Sequence, residues 1–262
     1  MWQAVETTIL KTLEYSLPAL TLSESECRKI MQPILSISLP KTSISRNSPQ
    51  SVLFGPVSEG GLGLDSLYYT QGAMHLEKFQ LHLGTDTMTG KLIQVSLESA
   101  QLEIGIGRNL FQLEYKLYGH LLTDCWLKCI WKFAQQNDII IIDRHTKYPT
   151  PQHEHDVFLM EIFIHEGYSK AQLKKINRCR LYLGVLTVSD VMNGRGNGFT
   201  STYNCIKDDT RPTRYLWPKQ PKPGAQSIRQ WKSALRKSFG LRQGVTAYQL
   251  GKWFYNIPQN WR

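Results

Sequence analysis

The sequence predicts a mainly α-helical protein: a multi-helix, bundle-like body over residues 1–206 with at most short strands, then a basic, proline-rich C-terminal extension over residues 207–262 bearing one helix. Three observations carry this. Apolar residues recur at helical spacing through most of the body. Helix start and stop signals stand where those patterns begin and end, as in Ser23 with Glu26 and in Gly167. The charge is divided unevenly: residues 207–262 hold 12 Lys or Arg against Asp208 and Asp209 only, so the whole net charge of +10 sits there, while residues 1–206 balance at 19 against 19.

Residues 1–16 place Val5, Ile9, Leu10 and Leu13 on one side of a helix that must stop before Pro18. A capping box, Ser23 with Glu26, starts the next, whose inward face is Cys27, Ile30, Met31, Ile34 and Leu35; Pro33 should kink it or end it early. Residues 36–63 are rich in Ser, Pro and Gly and read as a long connection. Their GPVSEGGLG segment is a structural turn, because no preceding strand and no Lys-Ser/Thr complete a phosphate cradle. Asp65 is the expected cap of a helix to about Leu83, with Leu64, Leu67, Tyr68, Met74, Leu76, Phe79 and Leu83 buried. Another follows Thr89 and Gly90 to about Ile104, using Leu92, Val95, Leu97, Leu102 and Ile104. The GIGRN turn at 105–109 lacks the strand and third glycine of a dinucleotide fingerprint.

Residues 120–142, HLLTDCWLKCIWKFAQQNDIIII, are the centre of the body. Thr123 is the expected N-cap, the apolar positions exceed the roughly 100° stripe of a surface helix, and Ile139–Ile142 should form a short buried strand or extended segment. Asp156 to His165 reads as a helix closed by Gly167, and Ser169 starts another that ends near Gly184. In the extension, four prolines (Pro212, Pro218, Pro221, Pro223) leave little regular structure before Ser227. Ser227–Phe239 then forms an amphipathic helix with Ile228, Trp231, Leu235 and Phe239 on one side.

No apolar run reaches the roughly 18 residues of a membrane span. Met1 opens directly into an amphipathic helix without a signal-peptide pattern. Five cysteines are scattered with no CxxC pair, and Cys125 and Cys129 read as small core residues. A reducing intracellular compartment, cytoplasmic or nuclear, is the expectation.

A neutral body with a basic tail suits a polyanion, bound through phosphate contacts that release counterions. The candidate nucleic-acid-binding residues are Lys170, Lys174 and Arg178, on one stripe flanked by Lys175 and Asn177, with Lys175 itself, and Arg229, Lys232, Arg236 and Lys237 on the tail helix. The bland alternative for the first set is an ordinary solvated helix face; for the tail it is a solvated, partly disordered extension kept soluble by its charge, and a membrane-surface helix would look similar. Residues 143–156 gather His145, His153, Glu154, His155 and Asp156, donors that suit a transition metal, so a metal-dependent nuclease is one alternative function. A structural protein-interaction module is the other.

Four ordered blocks, ETTILKTLEYSLPALTLSESECRKIM, VLFGPVSEGGLGL, TDCWLKCIWKF and INRCRLYLGVLTVSD, with a closing pattern at Trp231, Leu235, Leu250, Gly251 and Trp253, resemble the region that follows the polymerase palm in LINE-like, non-LTR retroelement reverse transcriptases of diatoms and other single-celled eukaryotes. The resemblance covers most of the chain. It implies the helical thumb and C-terminal extension, which hold the RNA template and the primer duplex, and as a partner the polymerase palm and fingers if these are supplied upstream. Polymerase chemistry by two metal ions needs clustered aspartates. The only Asp-Asp pair, Asp208 and Asp209, lies in CIKDDTRP with no aromatic residue two before it. The resemblance therefore assigns no catalytic residue here, and Mg²⁺ belongs only to the palm that this chain lacks.

Overall fold

The computed structural model describes residues 5–151, 153–193, 197–207, 215–240, 248, 250 and 251. The protein is mainly α-helical. No strand forms among the described residues; isolated antiparallel bridges pair Phe158 with Thr187 and Met192 with Phe199. No described helix is long and apolar enough to cross a membrane. By contacts the chain divides into two compact units, Met1–Ile93 with Asp124–Ile139, and Gln94–Thr123 with Ile140–Arg262.

In the first unit, a π-helical turn Val5–Leu10 runs into α1 (Lys11–Glu14) and a 3₁₀ turn Leu17–Ala19. Leu10 and Leu17 are buried, but Ile9 is exposed, so the inward face is narrower than expected; the side chain of Val5 lies outside the described residues. Helix α2 (Glu24–Lys41) begins with the capping box: Glu26 N–H donates to Ser23 Oγ at 3.3 Å and Ser23 N–H to Glu26 Oε2 at 2.8 Å. Pro33 does not end it. Buried Met31 and Leu39 on either side hold the helix through the hydrogen bond that proline removes.

The connection is correspondingly shorter than expected and contains α3 (Gln50–Phe54) and a 3₁₀ turn Val57–Glu59. Its glycines are structural. Gly60 and Gly63 have φ of +84° and +65°, and a Cβ on Gly61 would lie 2.2 Å from Gly55 O. Helix α4 (Leu67–His82) is preceded by Ser66 rather than Asp65, and Ser66 makes no side-chain cap bond.

Helix α7 (Trp126–Gln136) packs on α4. A Cβ on Gly72 would lie 2.3 Å from the Phe133 ring, so this helical glycine lets the ring rest on the α4 backbone. Trp126 Nε1 donates to Pro18 O at 3.0 Å, and Tyr68 Oη to Gln136 Oε1 at 2.6 Å. Two polar residues that helical spacing did not select are buried on α4. Gln71 bonds both the N–H and the C=O of Leu22, at 3.1 and 3.0 Å, and His75 Nε2 meets Leu17 O at 3.2 Å.

Three expectations around α7 are corrected. Thr123 does not cap it, because its N–H and hydroxyl both donate to the Glu103 carboxylate; Cys125 takes the cap position and is exposed, not core. The run Ile139–Ile142 forms no strand, and only Ile141 is buried, with Ile140 84% exposed.

Helix α5 (Met88–Ile104) spans the boundary between the units. Of the expected positions Leu97, Leu102 and Ile104 are buried, joined by Ile93 and Ala100, whereas Leu92 and Val95 are each 60% exposed. In the second unit follow α6 (Tyr115–Tyr118), α8 (Leu159–His165), α9 (Lys170–Leu183) and α10 (Ala225–Phe239). Helix α8 starts later than expected, because Asp156 Oδ1 instead accepts from Ser189 N–H at 3.0 Å.

Helix α9 has a capping box of Ser169 and Gln172 and ends at Gly184 in the left-handed region. It packs against α10, whose Trp231 and Leu235 are fully buried and whose Trp231 Nε1 donates to Thr202 O at 2.9 Å. The basic extension thus contributes its helix to the core of this unit. Asp208, Asp209, Pro212 and Trp253 lie outside the described residues.

Candidate nucleic-acid interface

Why the cations of α10 point outward follows from its sequence. With Trp231, Ala234, Leu235 and Phe239 committed to the core at i, i+3, i+4 and i+8, the positions between them face solvent. Arg229, Arg236 and Lys237 are exposed and Lys232 is half-buried. These four residues and Ser233 surround one surface depression.

Two tyrosines, which the sequence did not single out, hold these cations. Tyr203 stacks on Phe199 with centroids 5.4 Å apart and planes within 4°, and Lys232 Nζ and Arg236 Cζ lie 5.6 and 5.7 Å from its ring centre. Lys237 Nζ lies 5.0 Å from the Tyr168 ring and 2.9 Å from Glu166 Oε2. That hydrogen bond to Glu166 raises the Lys237 pKa and leaves this cation already partly satisfied. No signal in the sequence marks Tyr203 or Tyr168, because each meets its cation through packing rather than through spacing along the chain.

On α9 the four-residue recurrence has the consequence expected of it: Lys170, Lys174 and Arg178 are exposed, with Lys175 partly so. Asn177 does not flank the stripe. It is buried and donates to Glu103 O at 2.8 Å. The α9 set does not line the α10 depression; the link is Lys237, which touches Glu166 and Tyr168 just before Ser169 caps α9. Among the described residues no carboxylate pairs with Lys170, Lys174, Lys175, Arg178, Arg229, Lys232 or Arg236.

The opposite case is Arg180, one turn before the end of α9. It is fully buried and donates from Nε to Asn177 Oδ1 at 2.7 Å, from Nη2 to Leu102 O at 2.5 Å and Glu103 O at 2.8 Å, and from Nη1 to Val185 O at 3.3 Å. Burial pushes its pKa down to about 9, and the guanidinium remains the charged partner of the last carbonyls of α5. Gly105 makes room for it: φ there is +82°, and a Cβ would lie 2.7 Å from Arg180 Cζ. The GIGRN glycine thus serves an arginine, not a nucleotide.

The histidine segment does not converge. The Asp143 carboxylate is occupied by His145 N–H, Thr146 N–H and Tyr148 Oη, which hold its pKa low despite burial. His153 Nδ1 faces Gly251 O at 3.3 Å, and Nε2 of exposed His155 lies 3.9 Å from Glu154 Oε1. Among the described residues no group of three or more His, Cys, Asp or Glu is placed to hold a metal ion.

No protein-family model matches the chain, and comparison with curated proteins and with solved structures gives no match either.

Proposed function

We propose that the chain binds nucleic acid through phosphate contacts, and that its target is an RNA template or an RNA–DNA duplex held by the second unit. The observation that supports this most is the exposed set Lys170, Lys174 and Arg178 with Arg229 and Arg236, on two helices that pack together and with no described carboxylate neutralising them. Cations left unpaired in this way gain more from polyphosphate, by releasing its counterions, than from isolated surface pairs. In this reading α9 and α10 do the work of a retroelement polymerase thumb and its C-terminal extension, without catalytic residues of their own. An upstream palm would supply Mg²⁺ and the chemistry, within the cytoplasm or nucleus.

The test is binding of the full chain to an RNA–DNA duplex across a salt series. Replacing Arg229 and Arg236 by Ala should weaken binding and flatten the log–log salt slope by about 2, at roughly 0.9 per phosphate contact. Unchanged affinity and slope in that variant and in Lys170→Ala/Lys174→Ala would overturn the assignment. Tight binding to an acidic protein with negligible affinity for the duplex would replace it by the protein-interaction reading.

A further inference from the structure

Two of the five cysteines meet inside the second unit. Cys179 lies in α9 and Cys205 closes the 3₁₀ turn Ser201–Asn204; both are thiols, 0% and 2% exposed. They stand 26 residues apart in the chain, yet their side chains hydrogen-bond to each other. Sulfurs in hydrogen-bond contact need only a short approach to form a bond, without the backbone movement that distant cysteines require.

The surroundings give the two thiols unequal roles. Cys205 has a φ of +57°, a left-handed conformation unusual for a residue with a Cβ, and its N–H donates to Thr202 O at 2.9 Å. Its side chain is buried while its chain neighbours Asn204 and Ile206 are exposed, so Cys205 stands one residue from solvent. The hydrogen bond from Cys179, with the ammoniums of Lys222 and Lys232, holds the Cys205 pKa below that of an ordinary thiol despite burial. The same bond, together with burial, pushes the Cys179 pKa up. Cys205 is therefore the thiol that ionises and Cys179 the one that keeps its proton.

We propose that Cys179 and Cys205 form a reversible disulfide on exposure to peroxide, with Cys205 attacking and Cys179 resolving. The Cys205 sulfur takes one oxygen of hydrogen peroxide, the O–O bond breaks and water leaves, giving a sulfenic acid. The Cys179 sulfur then attacks the Cys205 sulfur, the S–O bond breaks, and a second water leaves with the Cys179 proton. Two thiols and one peroxide thus become one disulfide and two waters. The bridge ties α9 to the turn that supplies Thr202 O to Trp231 Nε1 and sets Tyr203 against Lys232 and Arg236.

Peroxide treatment of the folded full chain, then alkylation in denaturant and peptide mass mapping, tests this. A parallel Cys125→Ser chain lacks the exposed thiol and its competing reactions. A linked Cys179–Cys205 peptide pair is expected in both chains and should disappear with dithiothreitol. Closing a loop of this length should raise the thermal midpoint by roughly 5–10 °C, reversed by dithiothreitol. Cys179→Ala should stop oxidation at the Cys205 sulfenic acid, which dimedone labels. The mapping uses native Cys179 and Cys205, so it decides the matter even where Cys179→Ala does not fold. Recovery of both thiols alkylated, links that involve only other cysteines, or an unmoved midpoint in the linked chain would each overturn the proposal.

Discussion

Replacing Arg180 by Met tests whether a buried cation hydrogen-bonded to an amide and to backbone carbonyls holds the second unit together. Methionine keeps much of the apolar stem and removes every donor. Glu103 O keeps a partner, because Asn177 Nδ2 still donates to it at 2.8 Å, and Val185 O loses only a long bond of 3.3 Å. Leu102 O and Asn177 Oδ1 lose short bonds of 2.5 and 2.7 Å in a site without solvent access. Two orphaned buried acceptors cost roughly 1–3 kcal/mol each, so about 2–6 kcal/mol in total. Against this, the folded chain no longer has to desolvate a charge, a gain of some kcal/mol. A net loss of about 3 kcal/mol is expected, read from the midpoint of urea unfolding at constant slope. Arg180→Lys should fare little better, because an ammonium cannot reproduce the fork that reaches α5, Asn177 and Val185 together. A loss below about 0.5 kcal/mol in Arg180→Met, the range of an ordinary surface change, would refute the reasoning.

Gly105→Ala and Gly60→Ala share a positive φ and differ in space, since a Cβ on Gly60 meets nothing within 4 Å whereas one on Gly105 meets Arg180. Gly60→Ala should cost about 1 kcal/mol and Gly105→Ala visibly more, as two thermal melts would show. Glu166→Gln removes the carboxylate bonded to Lys237, so duplex affinity should rise and the salt slope steepen by up to about 0.9; filter binding across a salt series reads both. Burial holds the His75 pKa below its ordinary value, so the folded chain takes up that proton less readily than the unfolded chain does. Stability from this residue is present above the unfolded pKa of about 6.5 and is lost as pH falls below it. Denaturation midpoints between pH 7 and pH 5 should therefore fall less in His75→Gln than in the native chain. Ser169→Ala should cost about 1 kcal/mol by removing the α9 cap, measured by urea unfolding.

Local rules were legible in the sequence where the chain answers them locally. Ser23 with Glu26 starts α2, and Ser169 and Gly184 bound α9, as their residue types require, because each cap is completed by groups within one turn of it. The outward cations of α9 and α10 follow from periodicity in the same way. Thr123 fails as a cap because a carboxylate twenty residues away, Glu103, competes for its donors, and spacing does not show that competitor. Arg180 illustrates the converse. At position 180 it continues the basic pattern of KKINRCR, yet it is the one cation of that helix turned fully inward, and what marks it lies elsewhere, in the glycine at 105 and the carbonyls of 102 and 103. A basic stripe read from sequence therefore counts charge but does not separate the arginine that holds a helix end from the lysines that meet solvent. The two roles have distinct signatures: changing Arg180 should shift unfolding, whereas changing Lys174, four residues from Lys170 and exposed like it, should leave unfolding within about 0.5 kcal/mol and alter only the salt dependence of binding.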